Sequence, residues 1–305
     1  MKQNNLKGCL ILCTAALIWG LAFVAQSSAA DNVPPFLMNS LRSFISAIFL
    51  FIILSLKNIK AKGEIIPKNP NTRKTVLLGG FVCGFILAVA INFQQFGIAA
   101  YPKGVASEAH AGFITALYVV LVPLFSAALG KKITAPVWCA VAVVLAGLYM
   151  LCFSSGIEGL YLGDLLMLCC AVSFTFHILS VERFVDAVGG IRLSMLQFLV
   201  CAIVSGILSL IFEVGIINWQ GVLAAAAPIL YLGIMSSGVG YTLQIIGQRY
   251  AEASIASLSM SLESVFAALG GWLILGNTIK SRELIGCVLV FAAIVLAQLP
   301  ERKRT

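Results

Sequence analysis

Charged residues are scarce in this chain of 305 residues, at 10% of the sequence, whereas soluble proteins carry about 25%. So few charges cannot cover a water-facing surface, which excludes a soluble globular protein. Apolar residues make up 60% of the chain and the mean hydropathy is +1.02. Apolar runs of about 20 residues recur without alternation, which predicts membrane-crossing helices rather than barrel strands.

Several other features are rare or missing. With two histidines and no paired acids in one loop, the chain lacks the clustered groups of a membrane enzyme. The absence of a G-x-x-x-x-G-K-S/T loop argues against ATP-driven transport by this chain alone. No basic face with interleaved aromatics accompanies the net charge of +8, so no nucleic-acid partner is expected. The nine cysteines lie mostly in apolar runs, which predicts packing rather than a metal site, and we expect no cofactor.

The hydropathy pattern predicts ten membrane spans separated by short polar gaps. Their approximate ranges are 8–29, 36–56, 75–97, 105–129, 135–153, 162–182, 193–213, 222–246, 254–275 and 283–299. None of the gaps is long enough for a soluble domain. Pro123 predicts a kink in the fourth span, because proline cannot continue the hydrogen bonds of a helix.

The basic residues predict the orientation. Of the 20 lysines and arginines, 16 fall in the gaps on the side of the N-terminus, three fall on the other side, and Arg42 lies within a span. Short cytoplasmic loops are enriched in lysine and arginine. We therefore expect a multi-pass protein of the inner or plasma membrane with both termini in the cytoplasm.

The two halves of the chain resemble each other. Gly8, Leu10, Ala16 and Trp19 align with Gly163, Leu165, Ala171 and Phe174 at a constant offset, and the segment from Val122 to Gly130 resembles Glu263 to Gly270. These matches divide the chain into residues 1–154 and 155–305, with five spans each. Because five is odd, the halves would insert with opposite orientation around a central cavity. Shared helical composition is the alternative explanation.

Three segments carry a family resemblance: Ala15 to Gly20 (AALIWG), Gly112 to Pro123 (GFITALYVVLVP) and Ser261 to Leu269 (SLESVFAAL), together with Arg42. They resemble the EamA-type proteins of the drug/metabolite transporter superfamily over nearly the whole chain. The resemblance implies two five-helix repeats, a central cavity, and export or facilitated movement of amino acids, other metabolites or toxic compounds.

Two ionisable residues in the spans are the first candidates for the site. Glu263 lies near the middle of the ninth span, about 14 Å along the helix axis. Such a carboxyl can bind a proton in one conformation and release it in another, or pair with an amine substrate. The structural alternative is a fixed pair with Arg42 or with the end of a neighbouring helix. Arg42 can hold a substrate carboxylate, or it can snorkel outward or neutralise Glu108.

The remaining candidates are polar or aromatic. Glu108 and His110 lie near the outer end of the fourth span, where His110 would titrate in a useful range. Asn92 and Gln95 share a face of the third span, and Gln244 occupies the matching eighth span. These amides can line a cavity or join helices. Trp19 can stack on a substrate or fill a helix crossing.

The function predicted is a secondary transporter, an exporter that moves a small, amphipathic or zwitterionic metabolite such as an amino acid, or a toxic compound, by alternating access between the two inverted halves. Protons are a candidate coupling ion, and the bilayer is the solvent. A channel-like facilitator or a non-transporting scaffold is the alternative, and an integral membrane enzyme is a weaker one. Channels usually show repeated filter-like segments, which this sequence lacks. The substrate, the direction of flux and the oligomeric state do not follow from the sequence.

Overall fold

The structure, a computed structural model, describes residues 5–30, 32–61, 65–102, 107–152, 161–275 and 280–298. Every regular element in these ranges is helical. The helices of the first half, and the one that follows them, are α1 (Asn5–Ala30), α2 (Pro35–Ala61), α3 (Pro70–Ala99), α4 (Ser107–Thr115), α5 (Tyr118–Ala128), α6 (Ala135–Cys152) and α7 (Leu162–Val188). The others are α8 (Gly190–Phe212), α9 (Trp219–Ala224), α10 (Ala226–Leu230), α11 (Tyr241–Gln248), α12 (Ala253–Met260), α13 (Leu262–Leu275) and α14 (Ser281–Ala297).

Eight helical segments are long and apolar enough to cross a membrane, which confirms a multi-pass helical membrane protein. They are Leu6–Ala30, Pro35–Ile59, Pro70–Ala99, Ala111–Ala128, Ala135–Cys152, Leu162–Val188, Gly190–Phe212 and Ala226–Gln248. A shorter apolar segment covers Ala253–Leu269, and α14 has 17 residues, fewer than the about 20 of a typical span. Helices therefore lie at all ten predicted positions, but ten crossings in two inverted halves stay a prediction.

Three spans depart from a regular α-helix. The fourth is broken between Thr115 and Tyr118, and the ninth is broken at Ser261. The eighth contains a π-helical segment, Tyr231–Gly240, a wide helix that is frequent at functional sites. Pro123 lies inside α5, after the break in the fourth span, and the kink expected there stays a prediction.

The helices pack in related pairs. Helix α3 contacts α7 and α8, whereas α1 contacts α11 and the π-helical segment, which in turn contacts α2. Helix α2 also packs along α8, and α6 packs along α14. Glycines allow the backbones to approach closely at three of these contacts. A Cβ added at Gly8 would lie 3.0 Å from the Gly247 oxygen, and one at Gly163 would lie 2.9 Å from the Gly97 oxygen. At α6 and α14 the facing residues are Gly147 and Gly286.

A buried carboxylate joins the two halves at one end of the bundle. Glu213, just after α8, accepts hydrogen bonds of 2.8 Å from the backbone N–H groups of Phe36 and Leu37. These groups belong to the first turn of α2, where backbone donors lack partners within the helix. A negative charge is favourable there, so Glu213 fixes the start of α2.

Ionic and aromatic contacts close the end of the bundle that carries the start of α1. Glu182 on α7 pairs with Lys131 and also accepts a hydrogen bond of 3.2 Å from Ala253 N at the start of α12. Nearby, Arg249 lies 3.3 Å from Asp186, and Lys7 lies over the Tyr250 ring at 4.5 Å. This closing network, comprising the Glu182, Asp186 and Lys7 contacts, links elements from both halves.

Candidate functional site

A polar cavity lies where the two halves meet. It is lined by Trp19, Ala22, Phe23, Gln26, Arg42, Gln94, Thr115, Tyr118, Phe174, Ile178, Ser236, Tyr241, Gln244, Met260 and Glu263. Its volume is about 40 Å³, whereas pockets for drug-sized ligands measure about 300–1,000 Å³. The structure therefore shows a contracted cavity, with room for a few water molecules.

Arg42 supplies the positive charge of the cavity. Its side chain is 2% exposed, and its guanidinium donates to Gln26 Oε1 at 2.9 Å, Ser237 Oγ at 3.1 Å and Ser236 Oγ at 3.4 Å. All three acceptors are neutral. Within the described part of the chain no carboxylate lies within 4 Å of this guanidinium. Arg42 is therefore positioned by hydrogen bonds to neutral groups, and its charge has no counter-ion among the described side chains.

Glu263 supplies the acidic group. It lies in the first turn of α13, directly after the break in the ninth span, and is 5% exposed. The Tyr118 hydroxyl donates a hydrogen bond of 3.1 Å to Glu263 Oε1, and Tyr118 begins α5 directly after the break in the fourth span. Discontinuous helices of this kind expose backbone dipoles at the binding sites of transporters. The fixed pair of Glu263 with Arg42, considered from the sequence, is not formed.

Aromatic rings form another wall of the cavity. Trp19 and Tyr241 pack with ring centroids 4.7 Å apart, and Trp19 Nε1 donates to the backbone oxygen of Ser236 at 3.2 Å. Gly20, next to Trp19, packs directly on α13, because a Cβ added at Gly20 would lie 2.8 Å from the backbone carbonyl oxygen of Glu263. Trp19 therefore both lines the cavity and fills the crossing of α1 with its neighbours.

Two glutamines from matching spans line the cavity: Gln94 of the third span and Gln244 of the eighth. The Gln244 amide donates to Gln248 Oε1 at 3.1 Å. Its own oxygen is buried and has no hydrogen-bond partner among the described residues. Since an unsatisfied buried acceptor is costly, this oxygen is available to a ligand donor.

The amides predicted on the third span lie elsewhere. Asn92 accepts from Asn39 and donates to Ser205 at 3.0 Å and to the Ala88 oxygen, so it joins helices. Gln95 is fully buried outside the cavity lining. Gln94, one residue earlier, faces the cavity instead, because successive residues of an α-helix point about 100° apart.

Two ionisable candidates from the fourth span cannot be assigned a place relative to the cavity. Glu108 and His110 lie on α4, but their side chains are outside the described residues. His177 on α7 is fully buried and shares a hydrogen bond of 3.0 Å with Gln197 Oε1, so it packs between helices outside the cavity lining. The structure thus brings Arg42, Glu263 and four other candidate or neighbouring side chains together, namely Trp19, Gln244, Gln94 and Tyr118.

Some cavity residues had no clear signal in the sequence. Gln26, Ser236 and Tyr118 acquire their roles as neighbours of Arg42 and Glu263 in space. Gln26 is a polar residue near the end of an apolar run, which resembles an ordinary helix end. Tyr118 belongs to the segment from Gly112 to Pro123, and the family resemblance of that segment was the signal in the sequence that could have indicated it.

Comparisons with known proteins agree with this architecture. The chain matches the model of the EamA-like transporter family twice, over residues 6–153 and 161–299. One solved crystal structure is similar over 97% of this chain and 98% of that chain, with a TM-score of 0.76 and 22% sequence identity. At this identity the likeness shows a shared fold.

Curated relatives match over most of their length. An "Uncharacterized transporter" of Archaeoglobus fulgidus is 28% identical over 293 residues, covering 94% of this chain and 84% of that protein. "Uncharacterized transporter YoaV" of Bacillus subtilis is 25% identical over 93% of this chain and 94% of its own length. "Uncharacterized inner membrane transporter YedA" of Escherichia coli K12 is also 25% identical, with coverages of 93% and 88%.

Proposed function

Since this chain belongs to the EamA-like transporter family, we propose that it exports a small metabolite across the inner membrane as a secondary transporter. The observation that carries the proposal is the contracted polar cavity between the two halves. It contains Arg42 and Glu263 without an ion pair between them. A binding site that must open alternately to two sides of the membrane needs such a central pocket.

Two inverted repeats, residues 1–154 and 155–305, would provide the two states. In two such repeats, span one corresponds to span six and span three to span eight. The contact between α1 of span one and α11 of span eight therefore corresponds to the contact between α7 of span six and α3 of span three, and both contacts are present. The same correspondence relates the Gly8 and Gly247 approach to that of Gly163 and Gly97. This correspondence in packing supports a duplication beyond shared composition.

The cavity groups favour a zwitterionic substrate such as an amino acid. The guanidinium of Arg42 would bind a carboxylate, preferably through two hydrogen bonds. Glu263 and the free oxygen of Gln244 would accept hydrogen bonds from an ammonium group. Trp19 and Tyr241 would contact an apolar side chain. The negative end of the substrate would bind at Arg42 and its positive end at Glu263, so the charges in the occupied cavity would balance.

Rocking of the two halves would move access from one side to the other. The closing network around Glu182 joins α7, α12 and Lys131, so its opening would release one end of the bundle. Glu263 could couple this motion to protons, because its only described hydrogen bond comes from a neutral hydroxyl. A proton and a substrate ammonium would then compete for one carboxylate.

The orientation proposed from the basic residues places both termini and the closing network in the cytoplasm. Fusions of a cytoplasm-active and a periplasm-active reporter to the C-terminus test it directly. Activity of the cytoplasmic reporter alone is expected. Activity of the periplasmic reporter would show that the chain has the opposite orientation, and the description of the cavity would not change.

Counterflow in proteoliposomes tests the transport function. Vesicles containing the purified chain are loaded with one unlabelled amino acid at a time, and the uptake of the same labelled amino acid is measured. A carrier shows saturable uptake that internal substrate accelerates, a channel shows flux without acceleration, and a scaffold or an enzyme shows neither. Growth of cells expressing the chain on toxic amino-acid analogues extends the test to export, where resistance is the expected result.

A further inference from the structure

A second pocket, separate from the central cavity, lies at the start of α3. It is lined by Lys68, Pro70, Arg73, Lys74, Leu77, Leu78 and Phe81 and has a volume of about 610 Å³. We refer to it as the α3 groove. The side chains of Arg73 and Lys74 are exposed at its polar end. Leu77, Leu78 and Phe81 are 41%, 49% and 57% exposed at its apolar end.

The two ends follow one another along the helix. Lys74, Leu78 and Phe81 are spaced four and three residues apart and share one face of α3. At about 1.5 Å per residue, the face passes from cations to apolar side chains over about 10 Å. A phospholipid has the same profile, with a charged phosphodiester at the interface and acyl chains below it.

Two cations of the groove, Arg73 and Lys74, have no neutralising partner among the described residues. Within the part of the chain that the structure describes, the acids that form ion pairs, Glu182 and Asp186, bind Lys131 and Arg249. Neither Arg73 nor Lys74 has a carboxylate within 4 Å there. Around them, residues 57–74 contain six basic residues and one acid, so the local field favours an anion.

The backbone at the helix start contributes little to this site. The side chain of Asn69 accepts hydrogen bonds from Asn71 N at 3.1 Å and Thr72 N at 3.4 Å. Because Asn69 occupies these donors, an anion would be held by the side chains of Arg73 and Lys74. Arginine can donate two parallel hydrogen bonds to a phosphate, and lysine adds a mobile point charge.

We propose that the α3 groove binds an anionic phospholipid, with its phosphodiester at Arg73 and Lys74 and an acyl chain along Leu78 and Phe81. The apolar end commits the site to a lipid rather than a free phosphate, because a soluble anion would gain nothing from those side chains. With the orientation proposed above, the lipid belongs to the cytoplasmic leaflet, whose anionic headgroups attract basic segments. Lipid binding here does not depend on transport through the cavity.

Native mass spectrometry of the detergent-purified full chain tests the proposal. Phosphatidylglycerol and phosphatidylcholine are supplied in equal amounts, and bound copies of each are counted. We expect phosphatidylglycerol to be preferred, and the double variant Arg73→Gln/Lys74→Gln to bind it about thirtyfold more weakly, the effect of two interfacial charges. The matched control Lys57→Gln/Lys132→Gln removes two charges outside the groove and should retain the preference.

Two further arms separate the sources of the ligand. Phe81→Ser keeps the charges and should still weaken binding of phosphatidylglycerol, because it removes the apolar end. Glycerol phosphate, which has no acyl chain, should not displace the lipid at equal concentration. Equal loss of lipid in the two double variants, or displacement by glycerol phosphate, would overturn the proposal. The substituted residues are exposed, and unchanged thermal unfolding of each variant verifies that the fold is intact.

Discussion

The hydroxyl of Tyr118 lies 3.1 Å from a carboxylate oxygen of Glu263, and each residue lies directly after a break in its own span. Tyr118 belongs to the first half of the chain and Glu263 to the second. One hydrogen bond therefore connects the halves at the cavity wall, where both helices are already interrupted. Helix ends at such breaks can shift without unwinding a continuous helix, so this contact is a natural place for movement to begin.

Glu263→Gln is expected to abolish or strongly reduce transport while preserving the fold. The amide has nearly the same shape and still accepts from Tyr118, but it carries no charge for an ammonium group or proton. Loss of a charged hydrogen bond costs about 1.5–3 kcal/mol, or about tenfold or more in rate or affinity. Counterflow in proteoliposomes measures the effect.

The control for this substitution is Glu252→Gln, which changes an exposed glutamate at the start of α12. Its transport should equal that of the unmodified chain. Tyr118→Phe should give a smaller loss than Glu263→Gln, since it removes the hydrogen bond and keeps the charge. Unchanged counterflow in Glu263→Gln would remove this residue from the mechanism.

Arg42 is expected to determine the preference for a carboxylate. The unmodified chain should transport an amino acid in preference to its methyl ester, which lacks the negative charge. Arg42→Gln should lose this discrimination, and Arg42→Lys should keep part of it, because lysine retains the charge but not the planar fork of donors. Competition of the acid and the ester in the counterflow assay gives the ratio.

Arg183→Lys is the matched control, because Arg183 is exposed on α7 outside the cavity. A discrimination ratio that stays constant in Arg42→Gln would show that another group binds the carboxylate. Removal of Arg42 also leaves Gln26, Ser236 and Ser237 without their donor, so a loss of stability accompanies it. Thermal unfolding in detergent separates that loss from a change in selectivity.

Hydropathy was sufficient to predict the helices because the bilayer imposes one length scale and forbids unpaired backbone groups. Because burying a charge inside a membrane span is costly, Arg42 and Glu263 could be selected from the sequence as candidate site residues. Gln94 and Gln95 show the limit of such reasoning, because adjacent polar residues point in different directions and the sequence does not give the rotation of the helix. The π-helical segment that contains Ser236 is equally hidden, since its composition is that of an ordinary apolar span.

Close packing of α6 and α14 makes a prediction about stability. A Cβ at Gly286 would lie 2.6 Å from the Gly147 oxygen and 2.8 Å from Leu151 N. Both are backbone atoms, so the helices would have to separate. Gly286→Ala should lower the free energy of unfolding by about 1–3 kcal/mol, as overpacking does elsewhere. Gly112→Ala is the control, because Ser264 Oγ at 3.8 Å is the nearest described atom to its Cβ outside its own helix, and it should be neutral or stabilising.

The closing network predicts how one end of the bundle opens. Glu182 is 13% exposed and binds both Lys131 and the backbone of α12, whereas Asp186 is 65% exposed and, among the described residues, pairs with Arg249. Exposed ion pairs contribute about 0–1 kcal/mol, and a buried donor left without a partner costs about 1–3 kcal/mol. Glu182→Ala should therefore release α12, while Asp186→Ala should have little effect.

A cysteine introduced at Ser254, which is buried at the start of α12, reports on this opening. Labelling by a charged maleimide, corrected for the reaction of the chain without Ser254→Cys, measures its access to water. We expect Glu182→Ala to accelerate labelling about tenfold, the equivalent of about 1.4 kcal/mol, and Asp186→Ala to leave it unchanged. Equal acceleration by both variants would mean that surface charge controls this end. If neither variant accelerates labelling, the closing network does not control the opening of this end. The protection of Ser254 would then depend on the apolar packing of α12 alone.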